Sequence, residues 1–130
     1  MRGAGNQGFV KSVNDANLMF EFLLNGLVID HDNNVALRDE EMASMRQGRA
    51  FLALINDNIP KTAPAMEDLL VTLEDHENSL PQHRFERLIL GTAYSAYQVQ
   101  HQNLESEKKV WGNILGRLAN ATFVQLRKSS

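Results

Sequence analysis

The sequence predicts a mainly α fold, a compact bundle of about five helices with one short β-hairpin between helices 1 and 2. Three observations lead there. Apolar residues recur at three- and four-residue steps through most of the chain. The three prolines fall at the edges of those stripes, where helices break or begin. Only LVIDHDNNVAL carries two short apolar runs around an Asn-rich turn, the pattern of paired strands. A chain of 130 residues with 43% hydrophobic content fills one core. A single helical domain over residues 13–128 is expected, after a flexible Gly- and Asn-rich tail at residues 1–12.

Helix 1 is expected over about residues 14–26, where Leu18, Met19, Phe22 and Leu23 share a face. Asn14 or Ser12 can cap its start, and Gly26 suits the left-handed position after its end. The hairpin follows, with Asp32, Asn33 and Asn34 as turn residues. Asp39 is then a good N-cap for helix 2, with Glu40 and Glu41 in a first turn that favours negative charge. That helix runs to about Asn58 and presents Met42, Met45, Leu52 and Ile55, with Gly48 weakening its middle by about 1 kcal/mol relative to alanine. NIPKTAP breaks the chain, and helix 3 follows from about Pro64 to His76 with Met66, Leu69, Leu70 and Leu73 on one side. Ser79 and Gln82 have the spacing of a capping box for helix 4, with Pro81 in its first turn. Phe85, Leu88, Ile89, Thr92 and Ala96 form its stripe, ending near Gln102. Helix 5 starts about Ser106 and carries Val110, Trp111, Ile114, Leu115, Leu118 and Phe123.

Composition narrows function mainly by exclusion. A net charge of −3 gives no basic field, so no nucleic-acid partner is expected. No stretch approaches the roughly 20 apolar residues of a membrane span. With no cysteine, disulfides, thiolate nucleophiles and sulfur-ligated metals are excluded together. The opening MRGAGNQG lacks the apolar run of a secretory signal, so an export signal is expected to lie outside this chain.

DHDNNVALRDEE, residues 30–41, is the most suggestive stretch. Asp30, Asp32, Asn34 and Glu41 stand at oxygen-ligand positions of an EF-hand loop. The loop also needs a residue tolerant of positive φ at its sixth position, where Val35 stands, and a ligand or bridging water at its ninth, where Arg38 stands. We therefore read the stretch as turn and cap chemistry and expect no metal or other cofactor. His31, His76, His83 and His101 include no pair at the i, i+4 spacing of a helical zinc site. Ser44, Ser79, Ser95 and Ser106 sit in no nucleophile elbow. A non-enzymatic protein is expected.

The strings Glu21-Phe22-Leu23-Leu24, Asp39-Glu40-Glu41, Ile59-Pro60-Lys61, Phe85-Glu86-Arg87 with Ala93-Tyr94 to Ala96-Tyr97, and Trp111 resemble the vertebrate proteins called family with sequence similarity 180. The resemblance runs from about Asn17 to the C-terminus. It implies a small chain, in some members preceded by a signal peptide and so extracellular, and it carries over no catalytic or ligand residue. A cytoplasmic location is the alternative.

The remaining candidates concern packing and partners. Gly112 and Gly116 form a G-x-x-x-G, and Gly91 with Ser95 a similar small pair; such spacing lets helices approach closely. For Gly112 and Gly116 the charged flanks, Glu107, Lys108, Lys109 and Arg117, favour packing inside the domain over a partner helix. Tyr94, Tyr97 and Trp111 suit a core edge or an interface. Asn120-Ala121-Thr122 is a glycosylation acceptor if the chain is secreted, and Phe123 and Leu115 should then point away from Asn120, into the core. The function expected is that of a secreted protein acting through an unidentified protein partner, with the oligomeric state open. The alternatives are a divalent-cation-responsive domain built on the degenerate loop, or a carrier of a small apolar ligand.

Overall fold

The computed structural model describes residues 13–74 and 80–129. The expectations for the 1–12 tail and for Ser12, His76 and Ser79 lie outside those residues. Among the described residues there are six helices and one two-stranded sheet: α1 (Val13–Asn25), β1 (Leu27–Ile29), β2 (Val35–Leu37), α2 (Glu40–Ser44), α3 (Arg46–Asn58), α4 (Ala63–Glu74), α5 (Gln82–His101) and α6 (Glu105–Ser129). The fold is mainly α with a hairpin between early helices. Internal contacts gather into two compact units, residues 1–58 and 59–130.

In the first unit, α1 ends at Gly26, whose φ of 104° is open to glycine without strain. The chain then enters an antiparallel hairpin with Leu27 opposite Leu37, Val28 opposite Ala36 and Ile29 opposite Val35. Alternation sends Leu27, Ile29, Val35 and Leu37 inward and leaves Val28 and Ala36 outside. The outward backbone of Val35 is paired by a side chain from α3. Its N–H donates to Asn56 Oδ1 at 2.7 Å, and its carbonyl accepts from Asn56 Nδ2 at 2.9 Å. One primary amide thus stands where a third strand would, and the Phe22 and Phe51 rings, 5.2 Å apart, pack α1 on α3. Asn56→Ala removes both bonds at a half-buried edge and is expected to cost about 1–2 kcal/mol in urea denaturation, with faster hydrogen exchange at Val35.

The expected second helix is in fact two, which is why six helices stand where about five were expected. Asp39 caps α2 as its sequence suggests, Oδ1 accepting from the amides of Glu41 and Met42. The helix stops after five residues. The Ser44 hydroxyl donates to the Glu41 carbonyl, and Met45 is extended at φ −65°, ψ 151°. Gly48 consequently lies in the first turn of α3 rather than mid-helix, and a Cβ there would fall 1.8 Å from the Met42 carbonyl oxygen. Met45, expected on the buried face, is 44% exposed at the break. Gly48, Phe51 and Ile55 form the buried line of α3.

In the second unit, α4, α5 and α6 pack on one another. Thr62 Oγ1 accepts from the Ala65 amide at the start of α4, and Met66, Leu70 and Leu73 form the buried side of that helix. Helix α5 starts at Gln82 with Pro81 in the cap position; the Pro81 carbonyl accepts from Arg84 and Phe85. The buried line of α5 differs from the expected stripe: Leu88, Gly91, Tyr94, Ser95 and Gln98 are buried, while Phe85, Ile89, Thr92 and Ala96 are only half-buried. On α6 the inner line is Trp111, Ile114, Leu118, Ala121 and Gln125.

Candidate functional site

The Asp30–Glu41 stretch folds as a turn and a cap. Asp30 Oδ1 accepts from the amides of Asp32 and Asn34 at 2.8 and 2.9 Å, a local ring that holds the turn. Asn33 supplies the positive φ, 67°, and Val35 is in β2. Arg38 lies at the other end of the hairpin, its guanidinium beside Gly26. Glu41 stands exposed in the first turn of α2. No three His, Asp or Glu among the described residues gather as a metal site. Adding millimolar calcium is expected to leave the amide NMR signals of residues 30–41 unmoved; saturable shifts there would restore the EF-hand reading.

The described histidines do not converge either. His31 is exposed and lies 3.6 Å from the Asp32 carboxylate beside it. His83 is half-buried at the start of α5, and His101 is exposed at its end.

The second unit holds a ladder of buried polar groups that hydrophobic periodicity could not reveal. Gln102 Nε2 donates to Gln98 Oε1, Gln98 Nε2 donates to Tyr94 Oη, and Tyr94 Oη donates to the Lys61 carbonyl, at 2.8, 2.8 and 3.0 Å. The Tyr94 ring meets Trp111 edge to face, centroids 5.8 Å apart. Gln125 Oε1 accepts from the Leu80 amide, and Glu86 accepts from Gln82. These are structural roles: each joins separate segments, or successive turns of one helix, within or at the edge of the core. Tyr94 and Trp111 are therefore core residues, and Tyr97 is half-buried. The Ser95 hydroxyl is buried without a hydrogen-bond partner among the described residues.

An open cleft of about 380 Å³ between α4 and α5 is lined by Asp68, Leu69, Thr72, Leu73, Arg84 and Arg87. Two guanidinium groups and a carboxylate on its walls are a poor lining for a wholly apolar ligand, which seeks an enclosed apolar pocket. Nearby, Arg117 of α6 holds Glu74 of α4 through two hydrogen bonds, 2.6 and 3.3 Å. The bonded Glu74 carboxylate raises the Arg117 pKa, partial burial opposes the rise, and the charges of Glu74 and then Glu67 add to it.

The surface best suited to a partner is the outer face of α6. The glycines of the two small-residue pairs separate here. A Cβ on Gly91 would lie 3.4 Å from Met66 Sδ and 3.9 Å from Leu118, so Gly91 sits at a close approach of three helices. Among the described residues nothing lies within 4 Å of a Cβ added at Gly112 or Gly116. Packing inside the domain, favoured from sequence for this pair, finds no neighbour for either glycine among the described residues. Phe123 also departs from its expected place: it is 59% exposed, on the side of Asn120 rather than opposite it. The reason is angular. At about 100° per residue Phe123 lies roughly 140° from Leu118, while Asn120, Gly116 and Gly112 lie within about 60° of it. Leu126 is 54% exposed beside it, and the Arg127 guanidinium lies 5.7 Å from the Phe123 ring centroid. Ala119, Leu126 and Lys109 are members of this face that the sequence reading missed. The signal was a second 3–4 stripe (109, 112, 116, 119, 123, 126) interleaved with the buried one.

The class so defined is a small helical protein with a buried polar ladder and, among the described residues, an exposed outer face on α6. Residues 2–126 match the model of the FAM180 family, and the chain belongs to that family. Human Protein FAM180B is 29% identical over 113 residues, covering 85% of this chain and 62% of the relative, so the match spans less than two thirds of that protein's length. No solved structure matches the chain. No described helix is long and apolar enough to cross a membrane.

Proposed function

We propose that the protein is a non-enzymatic, extracellular binding protein that works by protein–protein contact through the outer face of α6. The observation that carries this reading is the exposed apolar end of that helix, where Phe123 and Leu126 are 59% and 54% exposed on the side of two glycines that no described residue covers. Large apolar side chains gathered on one exposed face mark interaction sites more often than scattered single ones do. An aromatic flanked by small residues also suits the anchor-and-approach geometry of a helix interface. The extracellular placement follows from the family resemblance, and the reading assigns no catalytic role to any residue.

The test is affinity capture from extracellular fluid and from cell lysate with the 130-residue chain and with Phe123→Glu, followed by mass spectrometry. A partner retained by the unmodified chain and weakened about tenfold or more by Phe123→Glu is the expected result. Equal retention by both would remove the α6 face from the function. Retention from lysate alone would overturn the extracellular placement.

A further inference from the structure

We infer that the occupant of the outer face of α6 is a second copy of this chain, packed antiparallel about a two-fold axis near Gly116; this rests on the reading of that face as the binding surface. Charge complementarity carries the inference. Glu105, Lys109, Gly112, Gly116, Ala119, Asn120, Phe123 and Arg127 lie within about 60° of one line along α6. Each of them is exposed except Gly112, which is half-buried. When two such helices run antiparallel with Gly116 opposite Gly116, Glu105 of each copy faces Arg127 of the other. Lys109 then faces Phe123, and Gly112 faces Asn120. Every charged group on the line meets an opposite charge or an aromatic face.

The parallel arrangement has the reverse character. It sets Glu105 on Glu105, Lys109 on Lys109 and Arg127 on Arg127, three like-charge contacts along about 33 Å of helix. An isologous contact needs a patch complementary to itself, and this line is complementary to itself in one direction only. The two glycines and Ala119, small residues at and beside the axis, allow a close approach there. Phe123 and Leu126 supply the apolar surface removed from water at either end. An N-glycan on Asn120 would stand on the same line, so the self-pairing chain is the one whose Asn120 is bare.

Because the chain contains no cysteine, single introduced thiols report the geometry cleanly. Gly116→Cys enters open space and leaves the fold undisturbed. Under mild oxidation it should form a disulfide-linked dimer, which needs Cα atoms within roughly 7 Å. Glu105→Cys alone should stay unlinked, while Glu105→Cys combined with Arg127→Cys should link. Sedimentation of the unmodified chain should show a concentration-dependent dimer, weakened about tenfold or more by Phe123→Glu. A monomer at all concentrations with no Gly116→Cys linkage would overturn the inference, and so would self-linkage of Glu105→Cys, the parallel signature. Dimerisation of an Asn120-glycosylated chain as tight as that of the bare chain would overturn it too. If the chain stays monomeric but a different protein is captured and lost with Phe123→Glu, the face keeps its binding function and only the second copy is excluded.

Discussion

Replacing Gly48 by alanine is expected to destabilise the protein by about 3 kcal/mol. Helix propensity alone predicts the opposite sign, because alanine is favoured over glycine within a helix by about 1 kcal/mol. The position decides the matter. The added methyl would lie 1.8 Å from the carbonyl oxygen and 2.9 Å from the carbonyl carbon of Met42. Both are backbone atoms of the last turn of α2, so no rotamer change relieves the contact. Either α2 must move away from α3, or the extended Met45 that joins them must change conformation. The comparison is Gly116→Ala on α6, where within one chain the same change meets no described atom and, at concentrations that keep the chain monomeric, should stabilise by a few tenths to about 1 kcal/mol. Urea denaturation of both variants checks the pair of signs. A Gly48→Ala protein as stable as the parent would mean that α2 and α3 form one continuous helix.

Where the signal is local, the fold was legible. Gly26, the Asn-rich turn and the Asp39 cap stand where their residue types predict, because a positive φ or an orphan amide is satisfied within a few residues of chain. The break at Met45 was harder to see. It depends on the Met42 carbonyl meeting Gly48, and a glycine in a helical pattern looks the same whether it is tolerated or required. The buried side of α5 was read one strip off because its buried line holds Gly91, Ser95 and Gln98. Apolar periodicity does not mark such positions, and what holds Gln98 in the core is Tyr94, one turn away and itself anchored to the distant Lys61. On α6 the periodicity holds two stripes, and the apolar character of Phe123 resembles that of the heavier one. Its angle assigns it to the other. The candidate face was therefore present in the spacing of the residues and hidden by reading hydrophobicity before geometry.

Removing the Tyr94 hydroxyl is expected to cost about 2–3 kcal/mol although the ring, its burial and its edge-to-face contact with Trp111 all remain. The hydroxyl is a through-group: it accepts from Gln98 Nε2 and donates to the Lys61 carbonyl, so Tyr94→Phe takes a partner from each of two groups at once. Tyr94 is fully buried and Gln98 is 1% exposed, so water cannot replace the Tyr94–Gln98 bond without opening the core. The cost therefore reflects desolvated groups that lose a partner more than the worth of the bonds themselves. That distinction is measurable in a double-mutant cycle. Gln98→Leu alone should also destabilise, because it takes a donor away from the hydroxyl and an acceptor away from Gln102. With both changes made, neither side of the Tyr94–Gln98 bond is left behind, and the pair should cost less than the sum of the single variants by about 1–2 kcal/mol. Strict additivity in urea or thermal denaturation would mean the two side chains act independently, and the ladder would then be a set of separate contacts instead of a network.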